Sequence, residues 1–106
     1  MFKELDFKPG NVVFDDFPID PKIPLHDQME VLKEDLFQVN YFGTYIIDVG
    51  WYPEFKETGS FKLTLIKDYN WNEPLMEKRS KDLDELRQYM GECIALVKEL
   101  VERDSK

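Results

Sequence analysis

The chain has 106 residues, with 14 Lys and Arg against 22 Asp and Glu and a formal net charge of −8. At this length roughly 65% of the extended surface becomes buried, and 42% hydrophobic with 14% aromatic residues supplies one core, so a single domain over 1–106 is expected. One cysteine, Cys93, excludes an internal disulfide framework and a cysteine-based zinc site, no apolar run approaches about 18 residues, and the opening MFKELDF lacks the pattern of a signal peptide.

These features predict a soluble, cytoplasmic protein with no membrane partner. The acidic pI near 4.6 also argues against nucleic acid, where affinity comes mostly from Lys and Arg neutralising phosphates. The charge is uneven: residues 1–54 hold 11 acids and 4 bases, residues 55–106 hold 11 acids and 10 bases. A one-sided acidic segment is either a solvated face or an interaction surface.

In chain order, Asn11-Val12-Val13-Phe14 follows the Pro9-Gly10 turn signal and reads as an edge strand. Pro18, Pro21 and Pro24 then fix φ three times and remove three donors, giving an extended connector. Leu25, Met29, Leu32 and Leu36 are spaced 4, 3 and 4 apart, which predicts a short helix over about 25–34 with Pro24 at its start. Phe37, Val39 and Tyr41 alternate with polar residues, and Thr44 to Tyr52 is rich in β-branched and aromatic residues up to Pro53. Ser60 to Ile66 alternates again, so that Tyr45, Ile47, Val49 and Trp51 would meet Phe61, Leu63 and Leu65 on one face. From Ser80, taken as N-cap, the stripe Leu83, Leu86, Met90, Cys93, Ile94, Val97, Leu100 and Val101 predicts a long amphipathic helix. The expected fold class is α+β: an antiparallel meander of three to four strands against a long C-terminal helix, with a short helix before the sheet.

Catalytic chemistry is poorly supplied. Cys93 and His26 are the single thiol and imidazole, but Cys93 sits on the apolar helix stripe, where a buried thiol acts as a small hydrophobe. Asp15, Asp16, Asp20, His26 and Asp27 could offer ligands to a hard cation, yet their spacing matches no calcium loop. No cofactor, metal or enzymatic activity is therefore expected. Lys78-Arg79-Ser80-Lys81 at the predicted helix start is a weak anion-site candidate without glycines. Asp48 stands mid-strand between Ile47 and Val49. Alternation places it opposite the helix-covered face, where it is an ordinary outward acid if solvated and abnormal in titration if covered.

Small size, acidity and aromatics set among polar residues favour a protein-binding module: a negative face steers encounter and aromatics anchor the complex. In size, charge and lack of catalytic groups the chain resembles the small immunity proteins of bacterial toxin systems, which implies an inhibitor of a basic partner such as a nuclease. The partner-binding residues expected on this reading are Asp15, Asp16, Asp20, Glu30, Glu34 and Asp35, with Tyr69 and Trp71 as anchors. The alternatives are a self-associating structural or regulatory subunit, a homodimer in particular, and a small ligand-binding domain or enzyme using Asp48 and Arg79.

Overall fold

The computed structural model describes residues 2–105. Five strands precede one long helix: β1 (Asn11–Asp15), β2 (Phe37–Tyr41), β3 (Tyr45–Tyr52), β4 (Ser60–Lys67), β5 (Met76–Ser80) and α1 (Leu83–Asp104). Each strand pairs antiparallel with its sequence neighbour, in the order β1-β2-β3-β4-β5. This is the expected α+β meander against a C-terminal helix, with five strands rather than three to four. The additional strand is β5, whose sequence Met-Glu-Lys-Arg-Ser has no apolar alternation. It is held by pairing to β4, and its charges keep a sheet edge from pairing further.

The register places Trp51 opposite Phe61, Val49 opposite Leu63 and Ile47 opposite Leu65, on the face α1 covers. Phe37, Val39 and Tyr41 extend that layer on β2. Leu86, Met90, Cys93, Ile94 and Val97 bury the apolar stripe of α1 against it. Trp51 meets Phe61 edge-on at 4.9 Å between ring centroids and 85° between planes, a geometry that adds to area burial. Phe2 and Phe7 close the β1 end of the core by packing on the Phe37 ring.

Two expected boundaries are corrected. The helix predicted over about 25–34 is two single 3-10 turns, Leu25–Asp27 and Met29–Val31, parted by Gln28 at φ −136°. The buried Gln28 side chain is committed elsewhere: its amide donates to the carbonyls of Asp20 and Ile23, and its Oε1 accepts from Asp20 N. Three tertiary hydrogen bonds to the proline-rich connector outweigh one more helical turn, whose propagation gains little in a short segment. The cap of α1 is Asp82, not Ser80: Asp82 Oδ1 accepts from the backbone of Asp84 at 2.8 Å and Glu85 at 3.3 Å, while Ser80 ends β5 and its Oγ accepts from Asp82 N.

Candidate functional site

The sheet face turned away from α1 carries one cross-strand row of Phe14, Gln38, Asp48, Thr64 and Glu77. Phe14 owes its place to a β-bulge. Strict alternation would put Val12 and Phe14 on one face, but the register slips between them, so Val12 stands opposite Val39 and Phe14 opposite Gln38. A bulge re-aims side chains in this way, and here it turns the largest residue of β1 onto the face turned away from α1, where Ile46, Thr64 and Ile66 are nonetheless buried.

A strap over residues 32–36 borders the same region. Phe55 N donates to Leu32 O at 2.6 Å, Trp51 N to Lys33 O at 2.8 Å, Leu36 N to Val49 O at 3.1 Å and Asp16 N to Leu36 O at 2.8 Å. Between these ties the Glu34 carbonyl lies against Gly50, so close that its oxygen would be 1.9 Å from a Cβ at that position. Only glycine admits the approach, and the approach sets Asp35 and Leu36 over the sheet.

Phe14, Asp35, Leu36, Gln38 and Asp48 line an open cavity of about 240 Å³. Asp48 accepts from Gln38 Nε2 over a long 3.4 Å. Burial pushes its carboxyl above the ordinary range; the Gln38 hydrogen bond and the Lys62 charge partly offset this, and the nearby Asp35 charge adds to it. Lys62 is engaged elsewhere, with Nζ 3.5 Å from Glu77 Oε1 and 5.2 Å from the Tyr52 ring centroid. Among the described residues Asp48 has no ion-pair partner. Tyr52 is pushed up to about 12, first by burial and then by the charges of Asp48, Glu34 and Asp35. Three carboxylates thus act on Tyr52 against one base, Arg79.

Of the expected partner-binding residues, Asp15 ends β1 on the α1 side of the sheet, opposite Phe37, Asp16 follows it, and Glu34 and Asp35 sit on the strap; of these four only Asp35 lines the cavity. Asp16 is paired with Lys33. Asp20 and Glu30 are exposed in the connector and on the second 3-10 turn, and the Asp20 carboxylate accepts from Lys22 N. Tyr69 and Trp71 lie at the other end of the sheet, beyond Lys67, which pairs with Tyr45, whereas Asp15 belongs to the row of Phe37 and Val49. Three strand spacings and four residues of rise separate the groups by roughly 14 Å across and 13 Å along the sheet, so acids and anchors form two patches. In the second, Phe42, Tyr69 and Trp71 are 70%, 60% and 49% exposed. Phe42 and Tyr69 hold φ near +60°, a conformation uncommon for aromatic residues.

The remaining candidates do not assemble. Cys93 is fully buried in the core, its thiol pushed up to about 12 by that burial. His26 is exposed, its Nε2 3.4 Å from the neighbouring Asp27 carboxylate. Among the described residues no three metal-ligating side chains converge, and no helix is long and apolar enough to cross a membrane. Lys78 to Ser80 belong to β5 rather than to a helix start. Lys78 lies over the Tyr89 ring at 5.5 Å and Lys81 Nζ donates to Glu57 O, so the expected anion site is dispersed. Phe14 and Gln38 are the site residues that the sequence reading did not single out. Gln38 left a signal, since alternation from Phe37 puts it on the face of Asp48; Phe14 left none, because the bulge is invisible in Asn-Val-Val-Phe. No family model, curated protein or solved structure matches the chain.

Proposed function

We propose that the chain is an acidic protein-binding module of the inhibitor or immunity type, which neutralises a basic protein such as a nuclease by docking it where β1 and the 32–36 strap border the sheet face turned away from α1. One observation carries this reading. Val12, Val13 and Phe14 are between 41% and 54% exposed along the edge strand β1, Asp15 and Asp16 follow them directly in the chain, and Asp35 shares a cavity with Phe14. An apolar centre with a charged rim is the anatomy of a specific interface, and a rim of one sign accelerates encounter with a partner of the other.

The test is capture from native lysate at low salt by the wild-type chain and by the triple variant Asp15→Lys, Glu34→Lys, Asp35→Lys, followed by association kinetics with the protein recovered. The expected result is a basic partner whose association at low ionic strength slows at least about tenfold in the variant and loses most of its salt dependence. Equal association rates for the two proteins refute the reading.

Self-association is the second reading, favoured by the exposed outer edge of β1. Against it stand the Val13 bulge and Asp15, both of which blunt edge pairing, and the repulsion between two copies of net charge −8. A dimer mass in solution that disappears on Val13→Lys substitution supports it.

A further inference from the structure

We propose that the cavity between Phe14 and Asp48, on the sheet face turned away from α1, receives one arginine side chain of the basic partner. This rests on the protein-binding reading and names the contact through which that partner is recognised.

The occupant follows from size, shape and charge. At about 240 Å³ the cavity lies below the 300–1,000 Å³ of drug-sized ligand sites, so it suits one inserted side chain better than a cofactor. It is lined by an aromatic ring, an aliphatic residue, two carboxylates and a primary amide. Phe14 and Asp48 stand two strands apart with Gln38 between them, a Cα separation of about 10 Å. That gap admits a planar group stacked on the ring with its edge toward the carboxylate. Guanidinium combines these demands: it is planar, stacks on aromatic faces, and presents several donors to carboxylate and amide oxygens. An ammonium is a compact, strongly hydrated charge that uses the ring less and donates to fewer acceptors in one plane. A hard metal ion would take two carboxylates and one amide carbonyl from this wall and leave the Phe14 ring unused, its remaining ligands being water.

Asp48 is held in a state that such a guest relieves. It is half-buried and accepts a long hydrogen bond from Gln38, while Lys62, the nearest base acting on it, is drawn to Glu77. A buried carboxylate without a counter-cation is costly, and an arriving guanidinium supplies the missing charge and donors together. The Gly50 contact with the strap and the Val13 bulge then have one shared effect, bringing Asp35 and Phe14 into the lining of one cavity.

The experiment is a titration of the isotope-labelled full chain, followed by NMR, with three blocked pentapeptides that differ only at the centre: Gly-Gly-Xaa-Gly-Gly with Xaa arginine, lysine or citrulline. The arginine peptide is expected to give saturable shifts centred on the Phe14 amide, the Gln38 side-chain amide and the Asp48 amide. It should bind at least about threefold more tightly than the lysine peptide, while the citrulline peptide gives no saturable shift. Asp48→Asn and Phe14→Ala should each weaken arginine binding at least about fivefold. Phe14 is partly exposed, so its variant tests the slot even if the Asp48 variant folds poorly. Glu92→Lys, the same loss of negative charge or more on the exposed face of α1, should leave binding within about twofold. Shifts that do not saturate, that spread over the whole acidic surface, or that survive both substitutions overturn the proposal. Equal binding of the lysine and arginine peptides overturns the choice of guanidinium. If the charge-reversal variant loses the captured partner while Asp48→Asn and Phe14→Ala retain it, the module reading stands and the arginine slot falls.

Discussion

Gly50→Ala tests the construction of the site with a change of one methyl group. Gly50 lies in the middle of β3 without a left-handed φ, so propensity alone favours alanine, by roughly 0.5–1 kcal/mol. The structure demands the opposite sign. The new Cβ would meet the Glu34 carbonyl oxygen at 1.9 Å and its carbon at 2.7 Å, where real Cβ atoms keep at least 3.0 Å. The obstacle is backbone, and it is tied on both sides by the Trp51–Lys33 and Leu36–Val49 hydrogen bonds. Overpacking of this kind costs about 1–3 kcal/mol, and weakening two backbone hydrogen bonds adds roughly 0.5–1.5 kcal/mol each. The sum is about 2–6 kcal/mol, reduced by the propensity gain of roughly 0.5–1 kcal/mol; a central value of about 3–4 kcal/mol lowers Tm by roughly 12–32 °C for a chain of this size. Circular dichroism melts of wild type, Gly50→Ala and Gly91→Ala measure it. Gly91 lies within α1 and its Cβ would meet nothing within 4 Å, so that variant should gain about 0.5–1 kcal/mol. A Gly50→Ala protein with an unchanged or higher Tm refutes the strap geometry, and with it the placement of Asp35 over the sheet.

Two further outcomes follow from titration. Burial raises the native pKa of Asp48, so the ionised carboxylate is disfavoured in the folded state and wild-type stability falls as pH rises from the ordinary carboxylate value through the raised one. Asp48→Asn should therefore be more stable than wild type at neutral pH, with the difference closing as pH drops below that window. Denaturant melts across pH check this, and a pH-independent difference contradicts it. The Cys93 thiol, fully buried and pushed up to about 12, should react with a thiol reagent at pH 8 only through opening of the fold, at least about 100-fold more slowly than in denaturant. Rapid native labelling contradicts its place in the core.

Asp48→Asn thus pulls in two directions, adding stability while removing the charge that the proposed arginine meets. Stability given up at one position for binding is a common trade in functional sites.

Legibility in the sequence tracked how local each cause was. The α1 stripe and the register of Trp51, Val49 and Ile47 against Phe61, Leu63 and Leu65 follow from periodicities of 3.6 and 2, and both were readable. Asp48 was placeable on the face turned away from α1 for the same reason. The features that escaped depend on tertiary partners: Gln28 abandons a helix to hydrogen-bond Asp20 and Ile23, and β5 is a strand only because β4 offers an edge. Acids close in sequence also differ in space from anchors chosen by residue type, and so Tyr69 and Trp71 fall at the far end from Asp15 and Asp35.

The sequential order of the meander bears on synthesis. Every strand pairs with its immediate neighbour in the chain, so each pairing can form as soon as its second strand emerges. Its apolar face, however, is covered by a helix that ends at Asp104, after all five strands. At about 5–20 residues per second, the interval from the end of β5 to the end of α1 is roughly 1–5 s. During that time Leu63, Leu65 and Val49 face solvent or a chaperone, and substitutions that slow docking of α1 lengthen this exposure before they alter the finished fold.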